Sequence, residues 1–68
     1  MKKYAKLRGR IREKYGTQEA FASAMGIRSA TLSAKLQGKT DWTRAEIERA
    51  CRLLDIAISE LHEYFFAL

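Results

Sequence analysis

The chain has 68 residues with 13 Lys or Arg, 8 Asp or Glu, 1 cysteine and 1 histidine, so it is long enough for one small domain. A single cysteine excludes an intramolecular disulfide, and one added histidine does not complete a zinc ligand set. The net charge of +5 is uneven: residues 1–40 carry ten Lys or Arg against two acids, whereas residues 41–68 carry three against six. A polyanionic partner would suit the basic half.

The same composition excludes several function classes. The apolar runs are only a few residues long, so we expect neither a signal peptide nor a membrane span and predict a cytoplasmic protein. Cys51 has no set of basic and orienting partners for nucleophilic catalysis, because His62 is the only histidine. We therefore predict no enzymatic activity, no cofactor, no metal and no small-molecule effector.

Helical spacing runs through the chain, which lacks proline and strand-like alternation. We predict an all-α fold, a compact five-helix domain spanning residues 1–68. The first helix runs from about Lys3 to Tyr15, with an apolar stripe of Tyr4, Leu7, Ile11 and Tyr15. Thr17 is the predicted N-cap of a second helix that ends at Met25 and buries Phe21, Ala22 and Met25.

The third predicted helix runs from Arg28 or Ser29 to Gln37 and buries Leu32 and Leu36. The fourth starts with a predicted capping box formed by Thr43 and Glu46. Trp42, just before the cap, is expected to pack against Ile47 as a hydrophobic staple. It continues to about Leu54, with its inward side chains at Ile47, Ala50, Cys51 and Leu54. Ser59 is the predicted N-cap of a short last helix that carries Leu61, Tyr64, Phe65 and Phe66.

Residues 17–39 have the pattern of two helices joined by a tight turn. Ala22 is small enough for a close helix crossing, Gly26 tolerates a positive φ at the bend, and Ile27 and Leu32 supply branched contacts. From Gln18 to Leu36 the chain resembles the lambda-repressor-like helix-turn-helix (XRE) family, and its size and layout resemble small phage repressors of the Cro type. That resemblance implies a helix-turn-helix at helices 2 and 3, with helix 3 in the major groove of double-stranded DNA.

By the same resemblance, base edges face Arg28, Ser29, Ala30, Ser33 and Ala34, and phosphates face Thr17, Gln18, Lys35, Lys39 and Thr40. Arg28 is the only base-reading candidate with a bidentate fork, suited to a guanine, although a phosphate clamp is its alternative. Thr17 is interpreted first as a cap. Lys35 departs from the family, which often has an apolar residue there, and Leu36 is expected to supply the anchoring contact instead. Arg8, Arg10 and Lys14 would add diffuse attraction to DNA.

The chain ends in more aromatic residues than one helical face can bury. We expect Phe65, Phe66 and Leu68 either to cover the underside of the bundle or to form a patch that pairs with a second copy. A homodimer on a palindromic operator is the preferred interpretation.

The function predicted is a transcriptional repressor of phage or prophage origin that binds operator DNA sequence-specifically. A first alternative is a helix-turn-helix module that binds a protein, such as an antirepressor or antitoxin-like subunit, through Phe65 and Phe66. A second is a membrane-surface peptide built on the basic first helix, which the capping box and several core stripes disfavour because they predict a fold in water.

Overall fold

The computed structural model describes residues 4–66, which form five α-helices with no strand among them. The helices are α1 (Ala5–Tyr15), α2 (Gln18–Met25), α3 (Ser29–Leu36), α4 (Arg44–Leu54) and α5 (Leu61–Phe65), with a 3₁₀ turn at Ile58–Glu60 before α5. The predicted all-α, five-helix fold is confirmed. None of these helices is long and apolar enough to cross a bilayer.

One apolar core holds the helices together. It contains side chains from every helix, namely Leu7, Ile11, Phe21, Ala22, Met25, Leu32, Leu36, Ala50, Cys51, Leu54, Ile56 and Phe65. Each inward position predicted on α2 is buried, and Cys51 lies in the core as a small apolar residue whose thiol pKa is raised by burial. Tyr4, Tyr15 and Ile47 pack at the edge of the core instead and are only partly buried.

The turn between α2 and α3 is set by Gly26. This residue has φ 78 and ψ 26, a left-handed conformation that favours glycine, and its N–H donates to the carbonyls of Ala22 and Ser23. The next amide, that of Ile27, also donates to the Ala22 carbonyl at 3.0 Å. From α4, the Arg49 guanidinium donates to the Met25 carbonyl at 3.0 Å, so the turn is fastened to the helix behind it.

Lys35, predicted to contact a DNA phosphate, is instead turned into the protein. Only 6% of it is exposed, and its ammonium donates to the Asp41 carbonyl at 2.9 Å and pairs with Glu46 Oε1 at 2.9 Å. Leu36 is fully buried beside it. The prediction for Lys35 is corrected because its charge is already satisfied inside the fold and does not reach solvent.

Helix α4 begins and ends as a well-capped helix. Thr43 Oγ1 accepts from the Glu46 amide at 3.1 Å and Glu46 Oε1 accepts from the Thr43 amide at 2.8 Å, which confirms the predicted capping box. At the other end, Asp55 adopts a left-handed conformation. The Arg10 guanidinium crosses from α1 and donates to the carbonyls of Leu54 and Asp55 at 2.8 and 3.0 Å.

The start of the last helical segment differs from prediction. Ser59 is not an N-cap, because it lies inside the 3₁₀ turn. The start of that turn is closed instead by Glu60, whose Oε1 accepts from the Ala57 amide at 3.4 Å.

The aromatic residues near the end of the described segment separate into a buried ring and an exposed one. Phe65, expected either to cover the underside of the bundle or to contact a second copy, is buried in the core of its own chain, with only 5% of its surface exposed, so the second-copy contact is corrected for this residue. Its ring meets that of Trp42 edge-on, with the centroids 5.2 Å apart. Phe66 is 53% exposed, so it remains available to a partner, and Leu68 lies outside the described residues.

Candidate functional site

The first turn of α3 presents small polar side chains to solvent. Arg28 is the N-cap residue of α3 in an extended conformation, and Arg28, Ser29 and Ala30 are all exposed as predicted for base-reading positions. Thr31 is exposed as well. It was not predicted from the sequence, although it follows Arg28 by three residues and therefore shares its side of the helix.

The second turn of α3 is less accessible. Ser33 and Ala34 are half-buried, and Ser33 Oγ accepts a hydrogen bond from Gln37 Nε2 at 2.9 Å. Their role at base edges remains a prediction. These two side chains are less exposed than those of the first turn and so offer less surface to a base.

A basic groove lies where α1 meets the start of α2. It is lined by Arg8, Gly9, Ile11, Arg12, Gly16, Thr17 and Gln18. Thr17 Oγ1 accepts from the Ala20 amide at 3.1 Å, so the hydroxyl acts as the N-cap, while Gln18 is half-buried at the groove wall. The amides at a helix start and the helix dipole both favour an anion here. Arg12 was not singled out from the sequence, but its position four residues after Arg8 puts both on one face of α1.

The arginines and lysines differ in whether their charge is paired. Five have a carboxylate within 4.0 Å among residues 4–66, in the pairs Lys6–Glu63, Arg10–Glu13, Lys14–Asp55, Lys35–Glu46 and Arg44–Glu48. Within the same residues, five exposed cations have no such pair, namely Arg12, Arg28, Lys39, Arg49 and Arg52, of which Arg49 donates to the Met25 carbonyl. Their positive charge is thus available to an external anion.

Three basic side chains of α1 serve the fold first. Arg8 Nη2 donates to the Leu36 carbonyl at 3.1 Å and so ties α1 to the end of α3. Arg10 caps α4, and Lys14 pairs with Asp55 at 3.3 Å. Glu13 and Asp55 offset the charges of Arg10 and Lys14, whereas Arg8 donates only to a neutral carbonyl and keeps its charge, so the diffuse attraction to DNA remains a prediction mainly for Arg8.

The segment after α3 carries the remaining phosphate candidates. Lys39 and Thr40 are exposed, and the Lys39 amide donates to the Ala34 carbonyl at 2.9 Å. The two side chains lie at the carboxyl end of α3, apart from the buried Lys35.

An aromatic groove lies at the other end of this segment. Its lining comprises Tyr4, Asp41, Trp42, Ile47, Phe65 and Phe66. Trp42 makes edge contacts with the rings of Tyr4 and Phe65 at centroid distances of 6.3 and 5.2 Å. Because Trp42 is held between these rings, the structure favours a packing role for it over base stacking.

No group of three or more potential metal ligands occurs among the described residues. The candidate site comprises two surfaces, the basic face around α2 and α3 and the exposed side chains near the carboxyl end.

We compared the chain with curated proteins, with solved structures and with models of protein families. No curated protein matches it. Among solved structures, the modulator of repression of the temperate bacteriophage TP901-1 from Lactococcus lactis is 42% identical, with a TM-score of 0.85. The match covers 96% of this chain and 88% of that protein. A family model described as a protein of unknown function (DUF739) matches residues 2–67. The chain belongs to the DUF739 family.

Proposed function

We propose that this chain is a small phage regulatory protein that modulates repression by binding a repressor protein. The observation that carries the proposal is its 42% identity, over nearly the whole of both chains, to a phage modulator of repression. At that identity and a TM-score of 0.85, the two proteins share one fold, and a shared mode of action is the simplest expectation.

The exposed face of α3 also supports a protein partner. Among the four exposed residues from Arg28 to Thr31, only Arg28 has a fork of donors that suits a base edge. Ser29 and Thr31 have single hydroxyls, and Ala30 has a methyl group. A face with so few strong donors can discriminate only modestly between DNA sequences. Modulation of repression through a protein partner does not require sequence discrimination.

The test is a direct binding measurement with the repressor of bacteriophage TP901-1 as the probe, because its phage encodes the similar modulator. The chain, at 7.8 kDa, is mixed with the repressor and separated by gel filtration with light scattering. We expect a complex whose mass exceeds that of the repressor by a multiple of the mass of the chain. Two species that elute at their separate masses at micromolar concentrations would contradict the proposal.

DNA binding by an XRE-type, Cro-like helix-turn-helix is the second candidate function. It is favoured by three exposed cations of residues 4–40 that lack carboxylate partners among the described residues, Arg12, Arg28 and Lys39, and by the basic groove at the start of α2. Binding as a homodimer to a palindromic operator belongs to this candidate.

Selection of bound duplexes from a random pool distinguishes the two functions. Enrichment of one palindromic sequence by the chain alone would support the repressor function. Equal, salt-sensitive binding to all duplexes would show that the chain is attracted to DNA only by the charge of its basic face, as the protein-binding proposal expects.

A further inference from the structure

A small notch lies between the turn that joins α2 to α3 and the first half of α4. Its volume is about 190 Å³, and its lining comprises Met25, Gly26, Ile27, Ala45, Glu46 and Arg49. Met25 is buried and Ile27 is half-buried, so apolar side chains form its inner part, whereas Ala45 and Arg49 are exposed. The last two residues are four apart on α4 and therefore share one face of that helix. We call these six residues the turn–α4 notch.

The arginine of the notch is held in a fixed position. Arg49 Nη1 donates to the Met25 carbonyl at 3.0 Å, and a Cβ added at Gly26 would lie 3.9 Å from the same nitrogen. A guanidinium carries several N–H donors, so one bond to Met25 leaves others for an external acceptor. Because that bond already orders the side chain, Arg49 loses less conformational entropy when it binds an anion.

The charge around the notch is positive. Among residues 4–66, neither Arg49 nor Arg28, the exposed residue that follows Ile27, has a carboxylate within 4.0 Å. Glu46 is the acidic residue of the lining, and its charge is already balanced. Its carboxylate pairs with Lys35 at 2.9 Å and accepts from the Thr43 amide at 2.8 Å. The notch therefore offers an unneutralised guanidinium beside an apolar surface.

We propose that the turn–α4 notch binds an acidic segment of a protein, in which an aliphatic side chain adjoins an aspartate or a glutamate. The carboxylate pairs with the free N–H donors of Arg49, and the aliphatic side chain packs on Met25 and Ile27. The notch is thus a protein-binding surface of its own, and its occupancy does not depend on whether the chain binds a repressor.

A DNA phosphate is the other anion that an arginine commonly binds. The sugar–phosphate backbone has no aliphatic side chain to pack on Met25 and Ile27, so it leaves the inner part of the notch unfilled. The backbone also brings a closely spaced row of negative charges towards the Glu46 carboxylate, whereas a protein segment can bring a single one. The chemistry of the lining therefore favours an acidic protein segment.

The proposal is tested by an NMR titration of the isotope-labelled chain with two matched peptides. The probe is acetyl-Gly-Leu-Glu-Gly-amide, and its control is the same peptide with glutamine in place of glutamate. We expect the glutamate peptide to shift the backbone amides of Gly26, Ile27, Ala45 and Arg49 saturably at millimolar concentrations. The glutamine peptide should bind at least about fivefold more weakly, because it has lost only the charge that pairs with Arg49.

Variants of the notch test the same contacts from the side of the chain. Arg49→Gln keeps an N–H donor for the Met25 carbonyl and removes the charge, and Ala45→Glu adds a like charge at an exposed position. Each should weaken binding of the glutamate peptide at least about fivefold, whereas Ala45→Lys should strengthen it. The matched control is Arg52→Gln, an exposed arginine of α4 outside the lining, which should bind like the parent chain. Unfolding midpoints show that each variant is folded.

The outcomes are decisive for the notch. Equal binding of the two peptides, or saturable shifts that Arg49→Gln and Ala45→Glu leave unchanged, would overturn the proposal. If a random-sequence DNA duplex shifts the same amides saturably and the glutamate peptide does not, the notch binds phosphate and the proposal also fails. None of these results bears on the proposed function, because the titration contains no repressor and gel filtration tests that binding separately.

Discussion

The ammonium of Lys35 and the carboxylate of Glu46 meet 2.9 Å apart, with 8% and 24% of their side chains exposed. The same carboxylate oxygen accepts from the Thr43 amide, so one group closes the start of α4 and neutralises a lysine from the end of α3. The pair thus fixes the position of α4 relative to α3 and removes Lys35 from the surface available to a partner.

Breaking this pair from either side should have unequal effects. Glu46→Gln keeps the acceptor for Thr43 but leaves the buried Lys35 charge without a carboxylate to neutralise it, so the free energy of unfolding should fall by about 2 kcal/mol. Lys35→Met replaces the charge with an apolar chain of similar length and should change stability by less than about 1 kcal/mol. Urea unfolding measures both. Equal losses from the two variants would contradict a pair in which the buried charge is the costly member.

The pair also predicts how stability depends on pH. Burial opposes ionisation of Glu46, but the Thr43 amide and the Lys35 ammonium stabilise the carboxylate more, so its pKa lies below the ordinary value of 4.5. A lowered folded-state pKa stabilises the protein above about 4.5, and this contribution is lost as the pH falls through the lower folded-state value. Thermal unfolding from about pH 6 to about pH 3 should show a steeper loss for the parent chain than for Glu46→Gln. Parallel curves would show that Glu46 does not supply the dependence.

The two neighbouring phenylalanines should lose stability unequally when their side chains are truncated. Phe65→Ala empties a core site beside Trp42 and should cost about 3 kcal/mol, while Phe65→Leu keeps most of the volume and should cost about 1 kcal/mol. Phe66→Ala should cost less than about 1 kcal/mol, because its ring is mostly in water. Denaturant unfolding gives the three values. A larger loss for Phe66→Ala than for Phe65→Ala would reverse the burial assigned to the two rings.

Two glycines provide a matched pair for the backbone. At Gly26, φ is 78 and an added Cβ would meet only Arg49 Nη1 at 3.9 Å, so Gly26→Ala is opposed by conformation rather than by crowding and should cost about 1 to 2 kcal/mol. Gly9 lies inside α1 with no atom within 4 Å of an added Cβ, and Gly9→Ala should stabilise by up to about 1 kcal/mol. Thermal unfolding checks the signs, and a stabilising Gly26→Ala would argue against the left-handed turn.

Two exposed cations distinguish base reading from electrostatic attraction to DNA. If the second candidate function holds, Arg28→Ala should relax preference at one base position, and Lys39→Ala should weaken all duplexes alike and reduce the salt slope by about one unit. Fluorescence anisotropy against a selected duplex and a scrambled one measures both effects. Under the protein-binding proposal, the parent chain binds both duplexes alike, so neither substitution changes a sequence preference.

Much of the fold follows from local sequence signals. The glycine at position 26 and the capping box from Thr43 to Glu46 are short-range patterns, and each produces the predicted helix boundary. The inward residues of α2 follow from helical spacing. These features depend on a few neighbouring residues, which is why the sequence alone is sufficient for them.

Contacts between distant residues account for the errors. A lysine is seldom buried, so the sequence favours the surface for Lys35, and only Glu46 and the Asp41 carbonyl, brought close by the fold, explain its burial. Phe65 and Phe66 have the same side chain and are adjacent in sequence, and the position of Trp42 decides which of them is buried. Arg10 likewise serves α4 across 44 residues of sequence, from its Nε to the Leu54 carbonyl, which helical spacing does not reveal.

The most direct test of the central claim is a titration of this chain into labelled operator DNA that carries the repressor of bacteriophage TP901-1, followed by fluorescence anisotropy. We predict that the chain changes repressor occupancy of the operator at concentrations where the chain alone leaves the anisotropy of the same DNA unchanged. An unchanged occupancy, together with saturable binding of the chain alone to that operator, would contradict this claim.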